Sequence, residues 1–405
     1  MTATAVRCLA LAVLTLFAAA PRGSHAGVQE AQGGGDAAAK RGFEIVPGDI
    51  PNQGIMFVDR ESIERSGHGC NSIVQCGNGD ILAFYGNTSF TSKRGHSVIG
   101  WTEYRRSTDG GETWGEPVPL EYSKEVFEGR EFRSALTGTV VKAPDGTLIA
   151  AMIRFDNPNW SRGAPPVYLL SHDHGETWSG PRAFDPDATL EDISITYDAS
   201  FVHDGKVHIV FIGERPDAEG DAERNRRYSL WVSEDNGESF RQKSVLPFEE
   251  LSGSLWYSTA TVLEDGRIIV YAYQRDDEHN LPYVLSEDGG RTWADIKRAR
   301  FAKRLRNPQI SDKIGDFYFI HGRSGMSGEG SNSFVLYASR DGIHWDEGVF
   351  LNDEGRWGVN YSVNEVIGRR DPERPERLLI QSNLAYDQAR TNEHHWWIVN
   401  IQGTE

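Results

Sequence analysis

The chain has 405 residues, 38% hydrophobic and 25% charged, which is enough apolar side chain for a large core and argues against wholesale disorder. Its 59 Asp and Glu outnumber 42 Lys and Arg, for a net charge of −17, so a phosphate backbone is a poor partner and no nucleic acid is expected. Forty-three Gly, 11 Trp and 14 Tyr point to many turns and much aromatic packing, the profile of an all-β protein.

In chain order, Arg7 precedes an apolar run over residues 8–20, and small residues around Ser24-His25-Ala26 follow. This layout predicts a signal peptide over 1–26 and export to the periplasm or the medium. The run is shorter than the roughly 20 residues a membrane span needs, and nothing later reaches that length. Residues 27–41 read as a flexible leader into a fold over 42–405. Cys70 and Cys76, if on one strand, stand about 20 Å apart and cannot pair, so both are expected as free, buried thiols.

Six pairs of alternating apolar runs follow, each joined by a turn. They are 71–76 with 80–85, 138–142 with 147–153, 199–203 with 206–212, 260–263 with 267–273, 309–312 with 316–320, and 362–367 with 377–381. A short motif recurs after the first five pairs. It opens at Ser107, Ser171, Ser233, Ser286 and Ser339, carries Asp109, Asp173, Asp235, Asp288 and Asp341 two residues on, and ends in Trp114, Trp178, Phe240, Trp293 and Trp345. Ser and Asp side chains suit turn amides, Gly supplies positive φ, and the aromatic ring packs between sheets. These aspartates therefore read as turn formers and not as catalysts. Repeats of about 58 residues predict six four-stranded blades, with residues 395–401 closing the ring against 43–46.

In such a ring one face is built by loops entering each inner strand and leaving the second. Those loops carry His68 and Asn71, Glu131 and Arg133, Tyr197, Trp256 and Tyr257, Arg306, and Tyr361 at the inner strands. Arg154, Arg215, Arg275 and Arg323 stand after the second strands, and His96 lies in the loop after Asn87. Arginine forks pair bidentately with carboxylate or sulfate, so these arginines predict a funnel for an acidic sugar in an otherwise acidic protein. Trp160, Trp256 and Trp357 are candidate stacking platforms or core residues. No phosphate loop, zinc spacing or serine-nucleophile elbow occurs, and no cofactor is expected.

The Ser-x-Asp-x-Gly-x-x-Trp repeat resembles the Asp box of the sialidase-like propellers. That resemblance spans essentially the whole chain after the leader and implies a six-bladed β-propeller acting on glycans.

 A monomer is the expected state, and an acidic glycan the expected partner. In exo-sialidases three arginines hold the substrate carboxylate, a Tyr assisted by Glu is the nucleophile, and an Asp is the acid/base. By that resemblance Arg275 matches the second arginine and Arg323 the third, and Tyr361-Ser362 resembles the segment holding the nucleophile. Tyr257 stands where the Glu belongs, Gly69-Cys70-Asn71 replace the first arginine's motif, and the loop 87–96 has no carboxylate. A hydrolase would then draw the base for Tyr361 from elsewhere, with Glu365 and Glu131 as candidates.

The residues filling the vacated places are His68, His96 and Tyr257. A His/Tyr set with arginines resembles the propeller uronate lyases, in which Arg neutralises a uronate carboxylate and His or Tyr moves the proton. Three readings therefore follow: a secreted sialidase-like glycoside hydrolase, a uronate lyase, and a glycan-binding propeller without catalysis.

Overall fold

The computed structural model describes residues 42–47, 65–66, 70–89, 98–129, 131–156, 162–214, 226–251, 255–324, 333–352, 359–368, 376–384 and 394–401. The expected signal peptide and leader over 1–41, His68, His96, Trp160, Arg215 and Trp357 lie outside these residues.

Six antiparallel sheets form the blades of a propeller. Blade one holds β2 (Arg65–Ser66), β3 (Ser72–Gln75), β4 (Ile81–Ser89), β5 (Gly100–Ser107) and β6 (Val118–Pro119). Its inner position is shared, because β3 pairs one half of β4 and β2 pairs the other. Blade two holds β7 (Ser134–Lys142), β8 (Leu148–Phe155), β9 (Arg162–Ser171) and β10 (Arg182–Ala183). Blade three holds β11 (Ser200–His203), β12 (Lys206–Glu214), β13 (Arg226–Ser233) and β14 (Arg241–Val245). Blade four holds β15 (Leu255–Val262), β16 (Ile268–Gln274), β17 (Asn280–Ser286) and β18 (Lys297–Arg300). Blade five holds β19 (Arg306–Ile310), β20 (Tyr318–Arg323), β21 (Phe334–Ser339) and β22 (Val349–Asn352).

Blade six holds β23 (Val359–Ile367), β24 (Arg377–Leu384) and β25 (His394–Ile401), and β1 (Phe43–Pro47) supplies its outer strand. Phe43 pairs with Ile401 and Pro47 with Trp397, so the two ends of the fold close the ring as the sequence predicts. The inner strands pack in the order β3, β7, β11, β15, β19, β23 and back to β3.

The middle strands carry the core. The six described residues of β20 are all buried, as are the seven of β16, because both faces of a central strand meet neighbouring blades. The Asp boxes fasten one blade to the next. In blade two, Ser171 Oγ donates to Asp173 Oδ1 at 2.8 Å, while the Gly175 and Thr177 amides donate to Ser171 Oγ and Asp173 Oδ1. The Thr177 hydroxyl and amide hold Asp173 down at about 2, so it is a charged turn anchor. Gly175 has φ +83° and lies on Leu82 of blade one, and its carbonyl accepts from Tyr104 at 2.8 Å. Tyr271 repeats this contact on Gly342 at 2.7 Å.

Among the described residues, two elements depart from the all-strand expectation, a short 3-10 turn at Pro247–Glu250 and an α-helix. Residues Glu121–Gly129 form a helix, α1, packed against β5 and β7 with Ser123 and Val126 buried. Glu121 lies in its first turn, where an acidic side chain favours the helix. Cys70 and Cys76 are buried thiols that form no disulfide, as expected from their spacing.

Candidate functional site

Tyr257, Arg306 and Tyr361 enter the ring at the same end of three successive inner strands. In each strand the ladder register shifts at that point, between Leu255 and Ser258, Arg306 and Gln309, and Val359 and Ser362. Such an irregularity turns a side chain out of the alternating pattern and aims it along the axis. Cys70 (φ 57°) and Asn307 (φ 49°) hold left-handed conformations at the same level, a strained backbone of the kind found at functional sites.

Three phenols meet here. The Tyr197 ring lies 5.0 Å from those of both Tyr257 and Tyr361, and the Tyr257 and Tyr361 hydroxyls are 3.4 Å apart. Burial pushes Tyr361 well above the ordinary phenol range, with Tyr257 adding to the rise and Arg323 opposing it. Tyr197 is raised well above it too, again chiefly by burial. Both are therefore neutral hydrogen-bond donors at physiological pH. The Tyr197 hydroxyl is buried with no hydrogen-bond partner among the described residues.

Beside the phenols stands a cluster of guanidinium groups. Arg306 and Arg323 face each other across the β19–β20 ladder. Glu278, buried at the end of the loop after β16, receives Arg304 at 2.8 Å, Arg306 at 3.1 Å and the Tyr273 hydroxyl at 3.0 Å. Among the described residues, the Glu278 carboxylate thus sits among three arginines. Burial, then the neighbouring Arg306, pulls Arg323 down to about 10, so it remains a cation at neutral pH but at a free-energy cost.

The other arginines fall at different places. Arg275 is exposed, with its guanidinium 5.2 Å from the Trp256 ring, and Arg226 stacks on that ring at 3.4 Å. Arg154 donates to the Pro165 carbonyl and lies over Phe132, so its own blade holds it. Arg133 is exposed at the start of β7. Glu131 is exposed too, and Glu365 accepts the Gln75 amide at 3.1 Å. Glu365 also lies four residues along β23 from Tyr361, about 13 Å of strand, which is too far to act as its base. Among the described residues, the groups acting most strongly on Tyr361 are Tyr257, Arg323 and Cys70, none of them a carboxylate.

Sequence reasoning placed Tyr197 on the loops of this face without a chemical role, and it did not point to Arg226 or Glu278. Arg226 opens a third strand, where nothing in the repeat marks it, and Glu278 lies in an acidic loop that reads as solvated. Tyr197 stands just ahead of an inner strand, and that position is what put it on this face in the sequence.

The model of the BNR repeat-like domain matches residues 79–369. No curated protein sequence matches the chain. Among solved structures, a Dyadobacter fermentans protein of unknown function superposes with TM-score 0.66 at 16% identity, covering 87% of this chain and 100% of that one. The Hadza microbial sialidase Hz136 superposes with TM-score 0.61 at 16% identity, covering 85% of this chain and 68% of its own. A Trypanosoma rangeli sialidase, solved with 2,3-difluorosialic acid as a covalent intermediate, gives TM-score 0.55 at 14% identity, covering 82% and 54%. At such identities the likeness establishes the fold.

Proposed function

The chain belongs to the BNR repeat-like domain family, and we propose that it is a sialidase-like glycoside hydrolase acting on a carboxylated sugar held at the phenol-and-arginine end of its axis. The observation that carries this reading is the convergence of Arg306, Arg323, Tyr257 and Tyr361 from three blades. Arg323 and Arg306 supply positive charge for a carboxylate, by charge-assisted hydrogen bonds. Tyr361 is the candidate nucleophile. Its hydroxyl becomes reactive only when a base takes its proton and Arg323 stabilises the phenolate. The phenolate oxygen bonds to the anomeric carbon as the glycosidic bond breaks and the aglycone leaves with a proton, and water then cleaves the tyrosyl–sugar bond, giving the free sugar and the phenol. The signal-like N-terminus supports export of the protein.

One observation favours a second reading, elimination from a uronate. Tyr257, and not a carboxylate, is the hydroxyl 3.4 Å from Tyr361. Two phenols beside an arginine-neutralised carboxylate suit proton transfer at the α-carbon. Incubation with sialyl and uronate glycosides, followed by product analysis, separates the readings. Free sialic acid or another released acidic sugar supports hydrolysis. Absorbance from an unsaturated uronate supports elimination. Neither product across a panel of acidic glycans overturns both and leaves a glycan-binding propeller.

A further inference from the structure

His321 stands on β20 two residues before Arg323, so both side chains leave the same face of the strand. On β23, Ser362 and Asn364 likewise share a face, and that face meets His321. The imidazole is fully buried between them, with Nδ1 2.9 Å from Ser362 Oγ and Nε2 3.0 Å from Asn364 Nδ2. It also packs edge-to-face with Phe334, ring centroids 5.4 Å apart.

The donors around the ring fix its tautomer. Asn364 Nδ2 also lies 3.4 Å from the Ile310 carbonyl, which only accepts, so the amide nitrogen donates to both partners. Nε2 therefore accepts. Burial holds the imidazole down at about 3, so it is neutral and carries its single hydrogen on Nδ1. That hydrogen is donated to the Ser362 hydroxyl.

These contacts fall where the irregular parts of two inner strands end. In β19 the ladder resumes at Gln309, whose register partner is His321. In β23 it resumes at Ser362, which His321 holds from the side. Arg306 opens the first irregularity, and Tyr361 lies within the second. Gln309 extends the chain of contacts, because its Nε2 donates to the Tyr197 carbonyl at 3.1 Å. The Tyr361 carbonyl accepts from Ser382 Oγ at 3.1 Å and from Asn71 Nδ2 at 3.3 Å. Within an irregular stretch the ladder does not set where a side chain points, so the groups that anchor its ends do. Ser362 is such an anchor for Tyr361.

We propose that His321 is a positioning residue of the site: by donating to Ser362 it fixes the irregular turn of β23 that aims Tyr361, in register with the strand that carries Arg323. Enclosed in the core, it acts through Ser362 and not on the sugar. The inference rests on the reading of Tyr361 as the reacting group.

The test compares two variants of the full chain. His321→Asn places an amide nitrogen where Nδ1 stands, whereas the longer amide of His321→Gln reaches Asn364 and leaves Ser362 without its donor. Each is made with 3-fluorotyrosine, and the Tyr361 fluorine resonance is assigned through Tyr361→Phe. His321→Gln is expected to shift that resonance and to lower kcat on an acidic glycoside about tenfold or more, with KM changed less than about threefold. His321→Asn is expected to recover the resonance and most of kcat. Ser362→Ala removes the acceptor and leaves the imidazole; it should move the Tyr361 resonance too, and it serves where His321→Gln fails to fold. A Tyr361 resonance unmoved in both His321→Gln and Ser362→Ala overturns the proposal. So does an equal shift and loss in the Asn and Gln variants, which marks a packing role alone. If the unaltered chain turns over no acidic glycoside, the proposed function fails, and the fluorine shifts still decide the positioning role.

Discussion

Replacing Arg323 by Met tests the cost of its buried charge at the candidate site. The fall of its pKa to about 10 corresponds to roughly 3 kcal/mol against keeping the cation in the folded state at neutral pH. The sign follows from linkage. The folded chain binds this proton less tightly than the unfolded one, so the penalty is complete below pH 10 and fades as pH rises above it. Met retains most of the apolar stem while removing the charge, and some packing and hydrogen bonding is lost with the guanidinium. The expected result is a variant of equal stability or up to about 2 kcal/mol more stable at pH 7, measured by urea unfolding with the m-value unchanged. Binding of a carboxylated sugar should fall at least about tenfold in the same variant. A stability loss of more than about 1 kcal/mol would falsify the reasoning, because it would mean that the charge is fully satisfied in the folded state.

Tyr361→Phe should lower turnover of an acidic glycoside by about 10²–10⁴-fold while costing less than about 1.5 kcal/mol of stability, read by product release and thermal melting. Retained turnover would exclude its hydroxyl from the chemistry. Gly175→Ala should destabilise the fold by about 2–4 kcal/mol, since a Cβ there lies 2.4 Å from Leu82 Cδ1 at φ +83°. A neutral result in chemical denaturation would show that the contact between blades one and two yields freely. Asp198, half-buried on β11's approach, is pushed up by burial from 3.8 to about 7 despite hydrogen bonds from Ser72 and Thr139. Its folded form holds the proton more tightly, so stability should decline as pH climbs from about 4 to 7. Asp198→Asn should flatten that stretch of the pH–stability profile, and an unaltered slope would assign it to other groups.

The blade count, the Asp-box turns and the closing strand were all readable from the sequence. Each is encoded within a window of a few residues, as an alternation of apolar side chains or as Ser, Asp and Gly at fixed offsets. The pairing of Phe43 with Ile401 follows once six repeats must close into a ring. The helix at Glu121–Gly129 was not readable, because two buried side chains make too short a stripe to stand out in a strand-rich chain. For the site, the sequence put Tyr257, Tyr361, Arg306 and Arg323 on loops of one face, but it ranked Arg275 with them. Tertiary structure alone separates these: Arg323 is 6% exposed beside Arg306, whereas Arg275 lies out in solvent over Trp256. It also brings in Tyr197, and Glu278 as the carboxylate that organises the arginines. Burial of a charge and contact between rings from different blades depend on how the blades rotate about a shared axis. No local pattern carries that information, since the rings that meet stand 60, 104 and 164 positions apart in the chain.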